Sequence, residues 1–227
     1  MIDWLLARSA TGLEAGWLHP QERREARRFC DPRRRGQYLL GRHAAKQLIA
    51  ARARRLGQKA PAPCALRIER TGAGWPRALG ADGEPLNLCL SISHSGDLAL
   101  VAIDASADGA IGADCERVEP RSASFSADYF TARERALIAG IDPAIGASLL
   151  WCLKEAALKA LRCGLRRDTR TVELRALGST GADGWRPAEI ALAEGGTLEA
   201  RWRLLDRGRL CAALARAGAQ APRSSST

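Results

Sequence analysis

At the midpoint of the chain, Ile111-Gly112-Ala113-Asp114-Cys115-Glu116-Arg117 reads as the end of an apolar strand that opens into two carboxylates two residues apart. Side chains alternate faces along a strand, so Asp114 and Glu116 share one face and Cys115 takes the other. Two carboxylates held side by side repel each other and resist burial. A hard cation relieves that repulsion, and oxygen-only ligands suit magnesium. Solvated acids at an exposed strand end have the same spacing, so the pair acquires a chemical meaning only from the rest of the chain.

Elements on either side of this strand recur in the same order. Before it, residues 1–8 read as a strand, and His19-Pro20 starts a short helix that ends near Phe29. Asp31-Pro32 interrupts, and a long helix then runs from about Arg35 to Leu56, with Gly57 as its C-cap. Ala65–Arg70 alternates as a strand, and the Gly- and Pro-rich stretch 72–85 reads as loop. Leu86–Ser93 and Leu98–Ile103 follow as strands joined by a turn at His94-Ser95-Gly96-Asp97. After the central strand come two short helices at 125–130 and 132–139, with Thr131 and Glu134 in a capping-box pattern. A long helix from about Ile145 to Leu161 precedes strands at 171–177, 188–193, 198–205 and 209–215. Leu39-Leu40 ahead of Leu48 and Ala50 parallels Leu149-Leu150 ahead of Leu158 and Ala160. Likewise Gly96-Asp97-Leu98-Ala99 parallels Gly208-Arg209-Leu210-Cys211. The expectation is an α+β chain of two similar α/β halves, each a small, mainly antiparallel sheet packed on a long helix. The halves span 1–108 and 109–220, residues 221–227 form a disordered tail, and a ligand site lies in the cleft between the halves.

The 227 residues carry a net charge of +10, largely on arginine, which favours polyanionic partners: nucleic acid, phosphorylated cofactors or an acidic protein. Nucleic acid is the weaker of these, because aromatic residues make up only 5% and do not interleave with the arginines as a stacking platform. The seven cysteines show no CxxC or pairing pattern, and Cys89, Cys115, Cys152 and Cys211 lie in apolar or periodic segments. Reduced thiols in a cytoplasm fit this usage better than a disulfide framework. The N-terminus reads as free of a basic leader, and no apolar run approaches membrane-spanning length.

Trp151-Cys152-Leu153-Lys154-Glu155-Ala156-Ala157-Leu158-Lys159 supplies a third carboxylate. Leu150, Leu153, Ala157 and Leu161 form an apolar stripe, and Glu155 and Lys159, four residues apart, fall on nearly the opposite face. Such a pair is either a surface ion pair worth a few tenths of a kcal/mol, or a carboxylate aimed at Asp114 and Glu116 with an ammonium one turn away. Ser91-Ile92-Ser93-His94-Ser95-Gly96 ends a strand with hydroxyl, backbone N–H and imidazole donors suited to a phosphate. Nucleophilic catalysis by a serine here ranks low, since no G-x-S-x-G elbow is present.

Gly41-Arg42, Ser91–Ser95, Ile111–Glu116 and Trp151–Lys159 together resemble the ordered motifs of the surfactin-type (Sfp-type) 4'-phosphopantetheinyl transferases, over about residues 20–162. The resemblance implies a pseudo-dimeric fold and an enzyme of the holo-[acyl-carrier-protein] synthase type. Such an enzyme transfers the 4'-phosphopantetheine of coenzyme A to a serine of an apo acyl, peptidyl or aryl carrier protein. It further implies magnesium held by Asp114, Glu116 and Glu155, with Glu155 as general base. Lys159 would lie near the reacting phosphates, and Ser93 and His94 on phosphates of coenzyme A. Arg42 and the segment 23–35 would lie toward the nucleotide end. The expected partners are the carrier protein and coenzyme A, with no nucleic acid or membrane, and the expected state is a cytoplasmic monomer. One departure stands out: where many relatives place Gly-Lys-Pro, this chain has Gly74-Trp75-Pro76, with Arg77 behind it as a substitute cation.

Overall fold

Pro32 begins the longest helix of the chain. The computed structural model describes residues 2–8, 15–105 and 110–217; the expected tail at 221–227 lies outside them. The chain divides into two units between residues 107 and 108.

In the first unit, β1 (Ile2–Arg8) is followed by α1 (Pro20–Ala26) and α2 (Pro32–Arg55). Asp31 accepts a hydrogen bond from the Arg33 amide as N-cap, and Pro32 supplies the preset first helical position. The dipeptide expected to interrupt is thus the start signal, and α2 begins three residues earlier than the pattern suggested. Gly57, at φ 69°, adopts the left-handed conformation expected of a residue just past a helix end. Next come β2 (Arg67–Arg70), β3 (Pro76–Leu79), β4 (Cys89–Ser95) and β5 (Leu98–Asp104). β3 lies inside the stretch read as loop. It is a short strand paired with β2, and Gly74 at φ 98° turns the chain between them. His94 and Ser95 belong to β4 rather than to a turn, leaving Gly96-Asp97 alone to connect the hairpin. The sheet order is β1-β5-β4, wholly antiparallel, with β2-β3 as a separate hairpin. Ala44, Ala45, Leu48 and Ile49 of α2 pack with Leu90, Val101 and Ile103 in the core.

In the second unit, β6 (Ala110–Arg117) leads into α3 (Ala123–Tyr129), α4 (Ala132–Leu137) and α5 (Pro143–Ala160). Then follow β7 (Val172–Leu177), β8 (Arg186–Leu192), β9 (Thr197–Leu205) and β10 (Leu210–Ala217). Their sheet, β6-β10-β9-β8-β7, is antiparallel throughout and carries α5 on one face. Taken one at a time, the units follow the same strand order; only in the second is the hairpin joined to the sheet.

A buried ion pair recurs inside each unit. Glu22, third residue of α1, closes the capping box on His19, accepts the Ile68 amide at 2.8 Å and pairs with Lys46 of α2 at 2.5 Å. Glu134, third residue of α4, closes the box on Thr131, accepts the Leu174 amide at 2.8 Å and pairs with Lys154 of α5 at 2.7 Å. All four side chains are buried. In each unit one carboxylate thus ties a short helix, the long helix and a strand together, and every buried charge has partners.

Candidate functional site

The carboxylate site grows from one contact between β6 and α5. A Cβ added to Gly112 would stand 1.7 Å from the Ala156 carbonyl oxygen and 2.6 Å from the Ala160 amide nitrogen. The strand therefore lies directly on the helix backbone, and only glycine allows that approach. Asp114 and Glu116 share the strand face of Gly112. On α5, Cys152, Glu155, Ala156, Lys159 and Ala160 recur at helical spacing and form the face that meets β6. The Cys152 thiol donates to the Asp114 carbonyl at 3.3 Å. Lys159 Nζ donates to the Ala113 carbonyl at 3.2 Å and pairs with Asp114 Oδ1 at 2.6 Å. The helix face opposite the Leu150–Leu161 stripe is thus not a solvated surface, and the ammonium turns to the strand.

Electrostatics bind these groups into one system. Burial and the neighbouring Asp114 carboxylate push Glu116 up to about 7, against the pull of Arg121 and Lys159. Burial also raises Glu155 above the usual carboxylate range, with Lys159 opposing and Asp114 adding to the rise. Burial alone would lower Lys159, yet Asp114 and Glu155 outweigh it and hold the ammonium above its ordinary value. Arg121 reaches Glu116 Oε2 at 3.3 Å and lies over the Phe125 ring, 5.1 Å from its centroid. Phe125 and Tyr129 pack edge-on against Trp151, which fixes α3 to the start of the Trp-x-x-Lys-Glu motif.

An oxygen-only donor set in which Asp114 adds to the rise of Glu116 and Glu155 fits a hard divalent cation. Among the described residues, no group of three or more ligating side chains stands gathered around one point. Instead Lys159 lies on Asp114 and Arg121 on Glu116, so the chain's own cations neutralise two of the three acids.

Lys154 has a different place from its motif neighbours. Its Nζ donates to the carbonyls of Thr169 and Val172, each at 2.7 Å, besides pairing with Glu134. It is structural, and its neutral partnership was not evident from the motif.

The remaining expected residues lie in the first unit and form their own group. Gly41 of α2 admits the His94 ring: a Cβ there would stand 2.4 Å from His94 Nε2. Ser93, on the opposite face of β4, is buried. Arg42 stacks on Tyr38 at 3.4 Å from the ring centroid and lies 3.9 Å from Glu22 and 3.6 Å from Glu25. Its guanidinium is largely buried among these groups. Arg77 pairs across the hairpin with Glu69 at 2.5 Å. Sequence reasoning missed Arg121 and Cys152, and nothing in their spacing sets them apart.

Residues 110–213 match the family model of the 4'-phosphopantetheinyl transferase superfamily. No curated protein matches the chain.

Proposed function

We propose that this chain is a magnesium-dependent transferase of the Sfp type that moves 4'-phosphopantetheine from coenzyme A to a serine hydroxyl of an apo carrier protein. The observation that carries the reading is the electrostatic coupling of Asp114, Glu116, Glu155 and Lys159 across β6 and α5. It lies within the segment that matches a superfamily whose members carry out this transfer.

In the reaction, the serine oxygen attacks the phosphorus that bears pantetheine. The pyrophosphate bond to the nucleotide breaks, and adenosine 3',5'-bisphosphate leaves. Asp114, Glu116 and Glu155 would hold magnesium, which supplies neutralisation of the charge on the leaving group. Glu155 takes the serine proton: burial raises its basicity above that of an ordinary carboxylate, and a positioned base contributes about 10²–10⁴-fold. Lys159, kept protonated by Asp114 and Glu155, presents an ammonium to the reacting phosphates. In the first half, residues 1–108, His94 and Ser93 would contact phosphates of coenzyme A, and Arg42 would serve the nucleotide end. The second half, 109–220, carries the carboxylates. A cytoplasmic monomer that binds neither nucleic acid nor membrane completes the proposal. Among the described residues no helix is long and apolar enough to cross a membrane.

Intact-mass measurement of an apo carrier incubated with coenzyme A and magnesium tests the reading. Wild-type protein should add the mass of phosphopantetheine, while Asp114→Ala and Glu155→Ala should still fold cooperatively and lose transfer. Undiminished transfer by both variants removes the site assignment.

A further inference from the structure

Of the two cations on the carboxylates, one is locked and one is loose. Lys159 is hydrogen-bonded at 2.6 Å to Asp114 and also to the Ala113 carbonyl, on the helix face pressed against the strand. Arg121 makes one contact with Glu116, at 3.3 Å, its side chain 23% exposed and that of Glu116 22% exposed. Its Nε is buried and has no hydrogen-bond partner among the described residues. The contact is nevertheless built rather than incidental. The Val118 amide donates to the Arg209 carbonyl at 2.9 Å, and the Glu119 amide donates to Ser148 Oγ of α5 at 3.2 Å. Ser148 in turn donates to the Glu119 carbonyl. The segment after β6 is thereby pinned on two sides, and Phe125 supports the guanidinium from below.

We propose that Arg121 is a place-holder for the divalent cation: it holds Glu116 while the cation is absent and gives up the carboxylate when the cation binds. The inference rests on the reading of Asp114, Glu116 and Glu155 as cation ligands. A guanidinium and a divalent ion cannot both take the same Glu116 oxygen, so Arg121 and the cation compete. A partly exposed, singly bonded ion pair is weak enough to be exchanged, unlike the pair at Lys159. Arg121 is a positioning residue in this scheme: it keeps Glu116 aimed at the site, and it lowers the apparent affinity for the cation.

Competition has a direction that structural damage does not mimic. Replacing Arg121 by Gln frees Glu116 and removes a positive charge near the bound ion, so the variant should bind the cation more tightly, by about threefold or more. Arg121→Lys keeps the charge and should remain near wild type. The experiment is an Mn2+ titration of the full chain followed by electron paramagnetic resonance of the free ion, with and without coenzyme A. Thermal unfolding is measured on the same samples. Tighter Mn2+ binding by Arg121→Gln, abolished when Glu116→Gln is added, supports the proposal. Equal or weaker binding by Arg121→Gln, with wild type binding normally, overturns it and leaves the carboxylate site standing. Should Arg121→Gln unfold, Arg121→Ala takes its place with the same expected direction. Failure of wild type and every variant to bind Mn2+ overturns the carboxylate reading and this inference together.

Discussion

Gly112→Ala tests the contact on which the carboxylate site is built. The new methyl would meet the Ala156 carbonyl oxygen at 1.7 Å and the Ala160 amide nitrogen at 2.6 Å. These are backbone atoms of α5, spaced as an i→i+4 helix hydrogen-bond pair, and neither can rotate away as a side chain does. Ordinary carbon contacts are about 3.5 Å, so β6 and α5 must separate by roughly 1.5–2 Å at this point. Overpacking against yielding neighbours costs about 1–3 kcal/mol; against backbone the upper end applies, about 3 kcal/mol. For a chain of this size that is a fall in Tm of about 6–12 °C. The same displacement takes Lys159 Nζ from 2.6 Å to beyond hydrogen-bond range of Asp114. Misplacement on this scale costs about 10²-fold in transfer. Circular dichroism melting and intact-mass assay of carrier modification read the two effects. Gly36→Ala is the control: it lies exposed within α2 with nothing within 4 Å of the added Cβ, and should gain about 0.5–1 kcal/mol. A Gly112→Ala variant that melts and transfers like wild type refutes the close packing of strand on helix.

Lys154→Met should cost about 3–5 kcal/mol in urea unfolding, because it leaves the Glu134 carboxylate buried without its cation. Adding Glu134→Gln should recover part of that loss, since it removes the unpaired charge while its single amide oxygen keeps one of the two N–H groups, of Leu174 and Thr131, that the carboxylate accepts; no recovery would show that the charge was not the cause. Asp3 gives a pH signature. Arg55 and Arg52 hold its carboxyl below the ordinary aspartate range, with burial opposing, so folding releases protons from this group. Its stabilisation is fully present above the unfolded value of about 3.9 and is lost as pH falls through the lower folded value. Asp3→Asn should therefore lower Tm at neutral pH, with the gap from wild type closing below about pH 4; a gap that stays constant into acid would deny the ion pairs their part.

What the sequence revealed and what it hid divide by the range over which each signal acts. The shared face of Asp114 and Glu116 follows from strand alternation, and the Thr131–Glu134 capping box from a spacing of three; both are local, and both are present in the fold. Asp31-Pro32 misled because such a pair can either break a helix or start one, and only the Arg33 amide bonded to Asp31 decides between them. β3 was hidden in a stretch rich in glycine and proline, where pairing with β2 rather than propensity makes the strand. The second task of Glu134 could not be read at all, since its partners Lys154 and Leu174 lie far along the chain. Arg121 is one of 35 lysines and arginines, distinguished only by where the segment after β6 is pinned.

Lys154 and Glu155 are adjacent in one motif yet do opposite work. A rotation of 100° per residue about α5 sends Lys154 toward α4 and β7, where its charge is consumed by Glu134 and two carbonyls. The same rotation brings Glu155 to the β6 face, where burial and then Asp114 raise its pKa against the pull of Lys159. Fixing the first therefore fixes the second: the buried pair sets the angular position of the helix, and that angle decides which carboxylate faces Asp114. A substitution that loosens Lys154 should accordingly disturb transfer through Glu155 without touching any reacting group.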